Sequence, residues 1–176
     1  MSSRSFDLVV IGSGPAGQKG AINAAKLKKN VAVVERRGVM GGVCVNTGTI
    51  PSKTLREAVS YLTGFRERAF YGKNYALKEN ISLEDLSSRV DKVVAREIDV
   101  IRAQLKRNGV TTVEGVARFV DDHTVEVDRG DDKELICAQH FLVACGTRPA
   151  HGKGIPFDGK RVLDTDQFMS GVNSSG

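Results

Sequence analysis

Phe6-Asp7-Leu8-Val9-Val10-Ile11-Gly12-Ser13-Gly14-Pro15-Ala16-Gly17 is the stretch that decides the fold of this chain. Phe6 to Ile11 is an apolar run of strand length, and Pro15 to Leu27 carries Ala16, Ala21, Ala24 and Leu27 at helical spacing. Val31 to Val34 is a second buried strand, so the segment reads strand, glycine turn, helix, strand, the opening of a parallel α/β sheet. The turn is a G-x-G-x-x-G. Gly12 permits the tight bend, Gly14 lets a pyrophosphate approach the backbone, and Gly17 lets helix and strand pack closely. The free N–H groups and positive dipole of the helix end then hold the anion. Glu35 closes the second strand, where its carboxylate accepts hydrogen bonds from ribose hydroxyls and its charge repels a 2′-phosphate. A dinucleotide is the expected ligand, and these residues leave open whether it is FAD or NAD.

Composition sets the outer limits. The 176 residues, 40% of them hydrophobic, suffice for one full-sized domain with a buried core. Three cysteines, Cys44, Cys137 and Cys145, at wide and irregular spacing argue against a secreted disulfide framework and for reduced thiols, hence a cytoplasmic location. The apolar run before Gly12 is short and contains Asp7, which excludes a secretory h-region or a membrane span there. The net charge of +5 is spread over helices and loops as a solvated surface, without the basic blocks of a nucleic-acid module. His123, His140 and His151 share no metal-ligand spacing, so no metal is expected.

Further along, Ile50 to Ala69 reads as a helix with Leu55, Ala58, Val59 and Leu62 on one side, and Phe70 to Glu79 as a loop. Ser82 is a candidate N-cap for a long amphipathic helix whose stripe runs through Leu83, Leu86, Val90, Val93, Val94, Ile98, Ile101 and Leu105 to a stop at Asn108-Gly109. The stripe is read as a core face rather than an oligomer seam. Alternation of period two then predicts short strands over 110–114, 117–120, 124–128 and 135–138, an antiparallel meander, before His140 to Ala144 returns to the sheet.

Gly41-Gly42-Val43-Cys44-Val45-Asn46-Thr47-Gly48-Thr49-Ile50-Pro51-Ser52-Lys53 resembles the redox motif of the flavoprotein disulfide reductases with one sulfur missing. Cys44 holds the first cysteine position and Thr49 the second, and a hydroxyl can neither form a disulfide nor accept electrons. That replacement narrows the resemblance to the soluble pyridine nucleotide transhydrogenases. Cys145-Gly146-Thr147-Arg148-Pro149 resembles the segment that returns beside the adenosine end of FAD, and Gly115 to Phe119 the segment whose backbone reads the adenine.

The resemblance implies a Rossmann-like FAD-binding domain over 1–168, a parallel sheet plus a small antiparallel meander, followed by a polar tail over 169–176. It implies FAD contacts from Gly12, Gly14, Pro15, Ala16, Gly17, Glu35, Arg36, Gly41, Gly42, Cys44, Thr49, Lys53, Ala117, Ala144 and Gly146. Lys53 is the neighbour of flavin N5, a cation that favours reduced flavin. Cys44 is either a thiol that tunes the flavin or an inert small side chain. Members of the family are much longer homodimers, so the sequence is expected to be the first part of one, with the nicotinamide-binding and interface domains absent. The implied reaction moves hydride from NADPH to NAD through flavin, and this segment alone is expected to be inactive. The alternatives are a flavin-dependent NAD(P)H oxidase or diaphorase, or a dihydrolipoamide-dehydrogenase-like relative, using Cys44 as a single redox thiol, and a non-catalytic nucleotide-binding fragment.

Overall fold

The computed structural model describes residues 4–65, 67–72, 78 and 80–173. In chain order the elements are β1 (Arg4–Ile11), α1 (Pro15–Lys26), β2 (Val31–Glu35), α2 (Gly42–Asn46), α3 (Thr49–Leu62), α4 (Arg68–Tyr71), α5 (Leu83–Arg107), β3 (Thr111–Glu114), β4 (Val116–Asp121), β5 (Thr124–Asp128), β6 (Lys133–Val143) and α6 (Thr165–Asn173). By internal contacts the chain divides into two compact units. The first comprises the described residues of Met1–Val43 with Glu97–Thr147, the second those of Cys44–Arg96 with Arg148–Gly176.

The first unit holds one mixed sheet of six strands in the order β3-β2-β1-β6-β5-β4. β1, β2, β3 and β6 run parallel: Val9 lies opposite Ala32 on one side and Phe141 on the other, and Val34 lies opposite Val113. The first half of β6 also pairs antiparallel with β5, which pairs antiparallel with β4. Val9, Ala32, Val34 and Val113 of the parallel strands pack with Val125, Val127, Ile136 and Ala138 of the meander in one buried cluster. Each valine or isoleucine side chain fully buried there contributes about 1.5–3 kcal/mol. α1 takes the opposite face, where Gly17 lies against Val10 and Gly20 against Leu142.

Two sequence expectations about strands change. The segment 110–114 does not join the meander: β3 is a parallel edge strand beside β2. Period-two alternation specifies which side chains face the core but not which neighbour a strand pairs with. The strands expected over 135–138 and 140–144 are one continuous strand of 11 residues, parallel to β1 along one edge and antiparallel to β5 along part of the other.

The second unit holds α3, α4, α6 and the first part of α5, whose remainder from Glu97 belongs to the first unit. α3 stops at Leu62 rather than continuing to Ala69, because Gly64 takes a left-handed conformation (φ 63°) and closes the helix. The Gly64 N–H donates to the Tyr61 carbonyl and the Phe65 N–H to the Ser60 carbonyl, each at 3.1 Å, a Schellman closure. Phe70 and Tyr71, read as loop, belong to α4; most of the remaining loop segment lies outside the described residues. The cap at Ser82 is present as a reciprocal box, with the Asp85 N–H donating to the Ser82 hydroxyl (3.2 Å) and the Ser82 N–H to the Asp85 carboxylate (2.8 Å). Val90, Val94, Ile101 and Leu105 of α5 are buried, as the core reading of its stripe requires, whereas Leu83, in the first turn, is exposed. Gly109 ends α5 in the same left-handed way as Gly64 ends α3. Residues 169–173, read as polar tail, are helical: α6 is capped by Asp164, whose carboxylate accepts the Gln167 N–H at 2.8 Å, and Met169 is buried. A capping residue and one apolar anchor outweigh polar composition.

Among the described residues no helix is long and apolar enough to cross a membrane.

Candidate functional site

The carboxyl ends of β1, β2 and β6 meet at Gly12. Its N–H donates to the Val34 carbonyl at 2.8 Å, and the Ala144 N–H donates to the Ile11 carbonyl at 2.8 Å. A side chain at Gly12 would collide with the Ala144 carbonyl, and one at Gly17 with the Gly12 carbonyl. These two glycines are therefore required by the chain's own backbone. Gly14 differs: a Cβ there meets nothing within 4 Å, so this glycine keeps open space in front of the loop. From β1 the chain turns one way to β2 and β3, and β6 returns on the other side, so the loop lies at a switch point of the sheet, where open α/β folds bind ligands.

α1 begins directly after Gly14 with Pro15 at its first turn, no side-chain cap and no acidic residue in that turn. Its first N–H groups have no intrahelical partners, and nothing negative offsets the dipole. This end fits a pyrophosphate. Pro15 and Ala16 are exposed and Gly17 buried, so the anion would meet backbone rather than side chains.

Glu35, only 6% exposed, is held from three directions. Its Oε2 accepts from the Ser13 N–H at 3.0 Å and the Ser13 hydroxyl at 2.6 Å, and its Oε1 from the Arg37 N–H at 3.0 Å. Burial pushes the carboxyl up, but the Ser13 hydroxyl, the two amides and the Arg37 charge outweigh it, leaving Glu35 below the ordinary value of 4.5. Ser13, fully buried, is the residue the motif reading passed over as a free position. Its signal was a small hydroxyl residue between the two glycines with a carboxylate at the end of the next strand.

Gly41 and Gly42 have left-handed φ of 108° and 60°. The Gly41 N–H donates to the Ser13 hydroxyl (3.1 Å) and carbonyl (3.2 Å), and a Cβ on Gly42 would come within 2.9 Å of the Gly14 Cα. The turn is thus laid directly on the glycine loop.

Beside Glu35, a cavity of about 750 Å³ is lined by Arg36, Glu114, Gly115, Val116, Arg118 and Lys133, among others. Gly115 donates its N–H to the Glu35 carbonyl at 3.0 Å, with φ 141° and Asp128 backbone 2.8 Å from where a Cβ would stand. Ala117, on the edge strand β4, packs against the core, so this position offers a ligand backbone only. Gly146 (φ 71°) has open space where a side chain would be.

Cys44, Thr49 and Lys53 belong to the second unit. Cys44 is half-buried in α2, Thr49 is the exposed first residue of α3, and Lys53 is exposed one turn further on. All three cysteines of the chain are free thiols. The described residues contain no His, Cys, Asp and Glu group able to hold a metal ion.

The family model for pyridine nucleotide-disulphide oxidoreductases matches residues 6–173. The soluble pyridine nucleotide transhydrogenase of Mycobacterium bovis is 53% identical over 168 residues, covering 94% of this chain and 36% of the relative. The enzyme of that name from Escherichia coli is 37% identical over 169 residues, covering 96% and 36%. This chain thus spans about a third of the length of the curated relatives it matches. Among solved structures, the HOCl-induced flavoprotein disulfide reductase RclA from Escherichia coli superposes with a TM-score of 0.71 at 24% identity, covering 93% of this chain and 34% of that one, a likeness of fold. With the family model matching residues 6–173 of its 176, and the glycine loop, Glu35 and the sheet order built as described, the chain belongs to the pyridine nucleotide-disulphide oxidoreductase family.

Proposed function

We propose that residues 1–168 form the FAD-binding domain of a soluble, cytoplasmic NAD(P) transhydrogenase that moves hydride between NADPH and NAD, and that this segment by itself holds FAD without catalysing the exchange. The observation that carries the reading is the uncapped α1 N-terminus at the switch point of the sheet, facing open space at Gly14, with Glu35 fixed beside it. The names of the two transhydrogenase relatives support the activity. When bound, FAD supplies a two-electron carrier that nicotinamides can load and unload.

The residues divide the work. The backbone of Gly14, Pro15, Ala16 and Gly17 binds pyrophosphate, Glu35 accepts a ribose hydroxyl, and Arg36 with the Gly115–Ala117 backbone borders the adenine end. Ala144 and Gly146 supply backbone on the β6 side, while Gly41 and Gly42 keep the turn close. Lys53 places a positive charge that favours electron-rich flavin. At Thr49 a hydroxyl stands where a second thiol would drain electrons to a disulfide, so reducing equivalents leave only to another nicotinamide or to an adventitious acceptor such as oxygen or a quinone. Cys44 contributes packing. In this reading the whole protein is a homodimer.

Titration of the chain with FAD, followed by flavin fluorescence, is expected to show saturable binding; indifference to FAD would sink the cofactor assignment. In the full-length protein, flavin reduced by NADPH should be reoxidised rapidly by an NAD analogue, and Cys44→Ser should change that rate little. Loss of exchange in that variant would favour a single-thiol oxidase or diaphorase instead.

A further inference from the structure

We infer that Ser13 is a positioning residue of the dinucleotide site: its buried hydroxyl, held between Glu35 and Gly41, fixes the Glu35 carboxylate for a single ribose contact and pins the Gly41–Gly42 turn to the glycine loop. The inference rests on the dinucleotide reading given above. Nothing in the G-x-G-x-x-G pattern requires a hydroxyl at its second position.

A carboxylate offers roughly four acceptor sites. Three of those on Glu35 are filled by the Ser13 N–H, the Ser13 hydroxyl and the Arg37 N–H, so about one remains for a ligand. The carboxylate is therefore oriented before any ligand arrives, and binding need not freeze it. A hydroxyl can donate and accept at once, and Ser13 uses both: it donates to Glu35 Oε2 at 2.6 Å and accepts from the Gly41 N–H at 3.1 Å. The Ser13 carbonyl shares the second task, so the Gly41 N–H is bifurcated between it and the hydroxyl, the hydroxyl being the nearer acceptor. The carbonyl also receives the Gln18 side-chain amide at 2.7 Å and holds the Gly41 N–H at 3.2 Å.

Alanine at position 13 would leave Oε2 with one amide donor in a buried place and loosen Gly41. The charged groups around Glu35 are Arg37, whose charge favours the carboxylate, the adjacent Arg36, and Glu114, its register partner on β3. The glycine loop supplies no titratable group. With the neighbours unchanged, removal of the hydroxyl must move the Glu35 titration upward.

The test is a double-mutant cycle on FAD affinity of the full chain, read by flavin fluorescence. Ser13→Ala is expected to weaken binding about tenfold, the scale of one hydrogen bond to a charged group. In an E35Q background the same substitution should cost less than about twofold, because the group it orients is already altered. The second readout needs no ligand: carbon-13 NMR titration of the Glu35 carboxyl should show its midpoint raised in Ser13→Ala. Additive losses in the cycle, or an unmoved Glu35 midpoint, overturn the inference. If the parent chain binds no FAD, the dinucleotide reading falls while the Glu35 titration still decides the role of Ser13. Should the alanine variant fail to fold, Ser13→Cys, similar in shape but a weak donor, takes its place with the same expected direction.

Discussion

The stretch from Gly12 to Glu35 and the stretch from Cys44 to Lys53 each carry half of the proposed chemistry, and they are built in opposite ways. In the first, almost every constraint comes from the chain itself: Gly12 and Gly17 have no room for side chains, and Ser13 and Glu35 are buried and mutually bonded. In the second, Thr49 and Lys53 are exposed and Cys44 is half-buried. A site that binds through backbone must be made by the fold, whereas a site that tunes a cofactor through side chains can be changed with little effect on the fold. On the proposed reading, the difference is why a threonine can stand at the second cysteine position without disturbing the glycine loop.

The sharpest way to break that contrast is to crowd the first region. Gly17→Ala drives a methyl into the Gly12 carbonyl, where backbone must shift, and should destabilise the chain by roughly 3 kcal/mol in urea unfolding. Gly14→Ala meets no atom within 4 Å and should change stability by less than about 1 kcal/mol while weakening FAD. Equal stability losses at the two glycines would remove the distinction between structural and ligand-facing positions within the loop.

Next in size is the acid dependence of Glu35. Because its folded pKa lies below the unfolded 4.5, the group adds stability that is fully present above pH 4.5 and is lost as the pH falls through the folded value. E35Q should therefore be less stable than the parent by roughly 1–2 kcal/mol at neutral pH, and the gap should narrow on acidification below 4.5. Urea midpoints of the two proteins across that range check it; a gap that stays constant would mean the carboxylate charge contributes nothing.

How far each region could be read in the sequence follows from the same contrast. The β1, α1 and β2 pattern was legible because strand runs, helical spacing and glycines agree there at every level. The segment from Cys44 to Lys53 is read only by resemblance, since nothing in the spacing of Cys44, Thr49 and Lys53 dictates a contact. Misses fell where a single residue outweighs a pattern. Gly64 ends α3 although apolar spacing continues past it, and β3 alternates like a meander strand yet pairs parallel with β2. Ser13 escaped notice because its role depends on Glu35 and Gly41, which adjoin it only once the sheet has formed.

A smaller effect probes the backbone of α3, the helix that carries Thr49 and Lys53. Gly64→Ala places a side chain at φ 63° in the turn that closes α3, and about 1 kcal/mol of stability should be lost. Far-UV circular dichroism and tyrosine fluorescence should shift together in urea if the two units unfold cooperatively. Separate transitions, with only one of them moved, would instead assign the loss to the second unit alone.

The smallest structural effect with a distinct chemical one is expected at Lys53. Lys53→Met keeps the length of an exposed side chain on α3 and removes its charge, so stability should change by no more than about 0.5 kcal/mol. If the cation favours electron-rich flavin, the FAD-loaded variant should be harder to reduce, with a midpoint potential about 20–30 mV more negative, the scale of one screened charge acting over a short distance. A redox titration against a reference dye reads that shift directly. A variant with unchanged stability and a lowered potential would make Lys53 the counterpart of Gly17, one residue acting on the ligand and the other on the fold. An unchanged potential would reduce Lys53 to a surface cation and leave the second region with no side chain of its own in the chemistry.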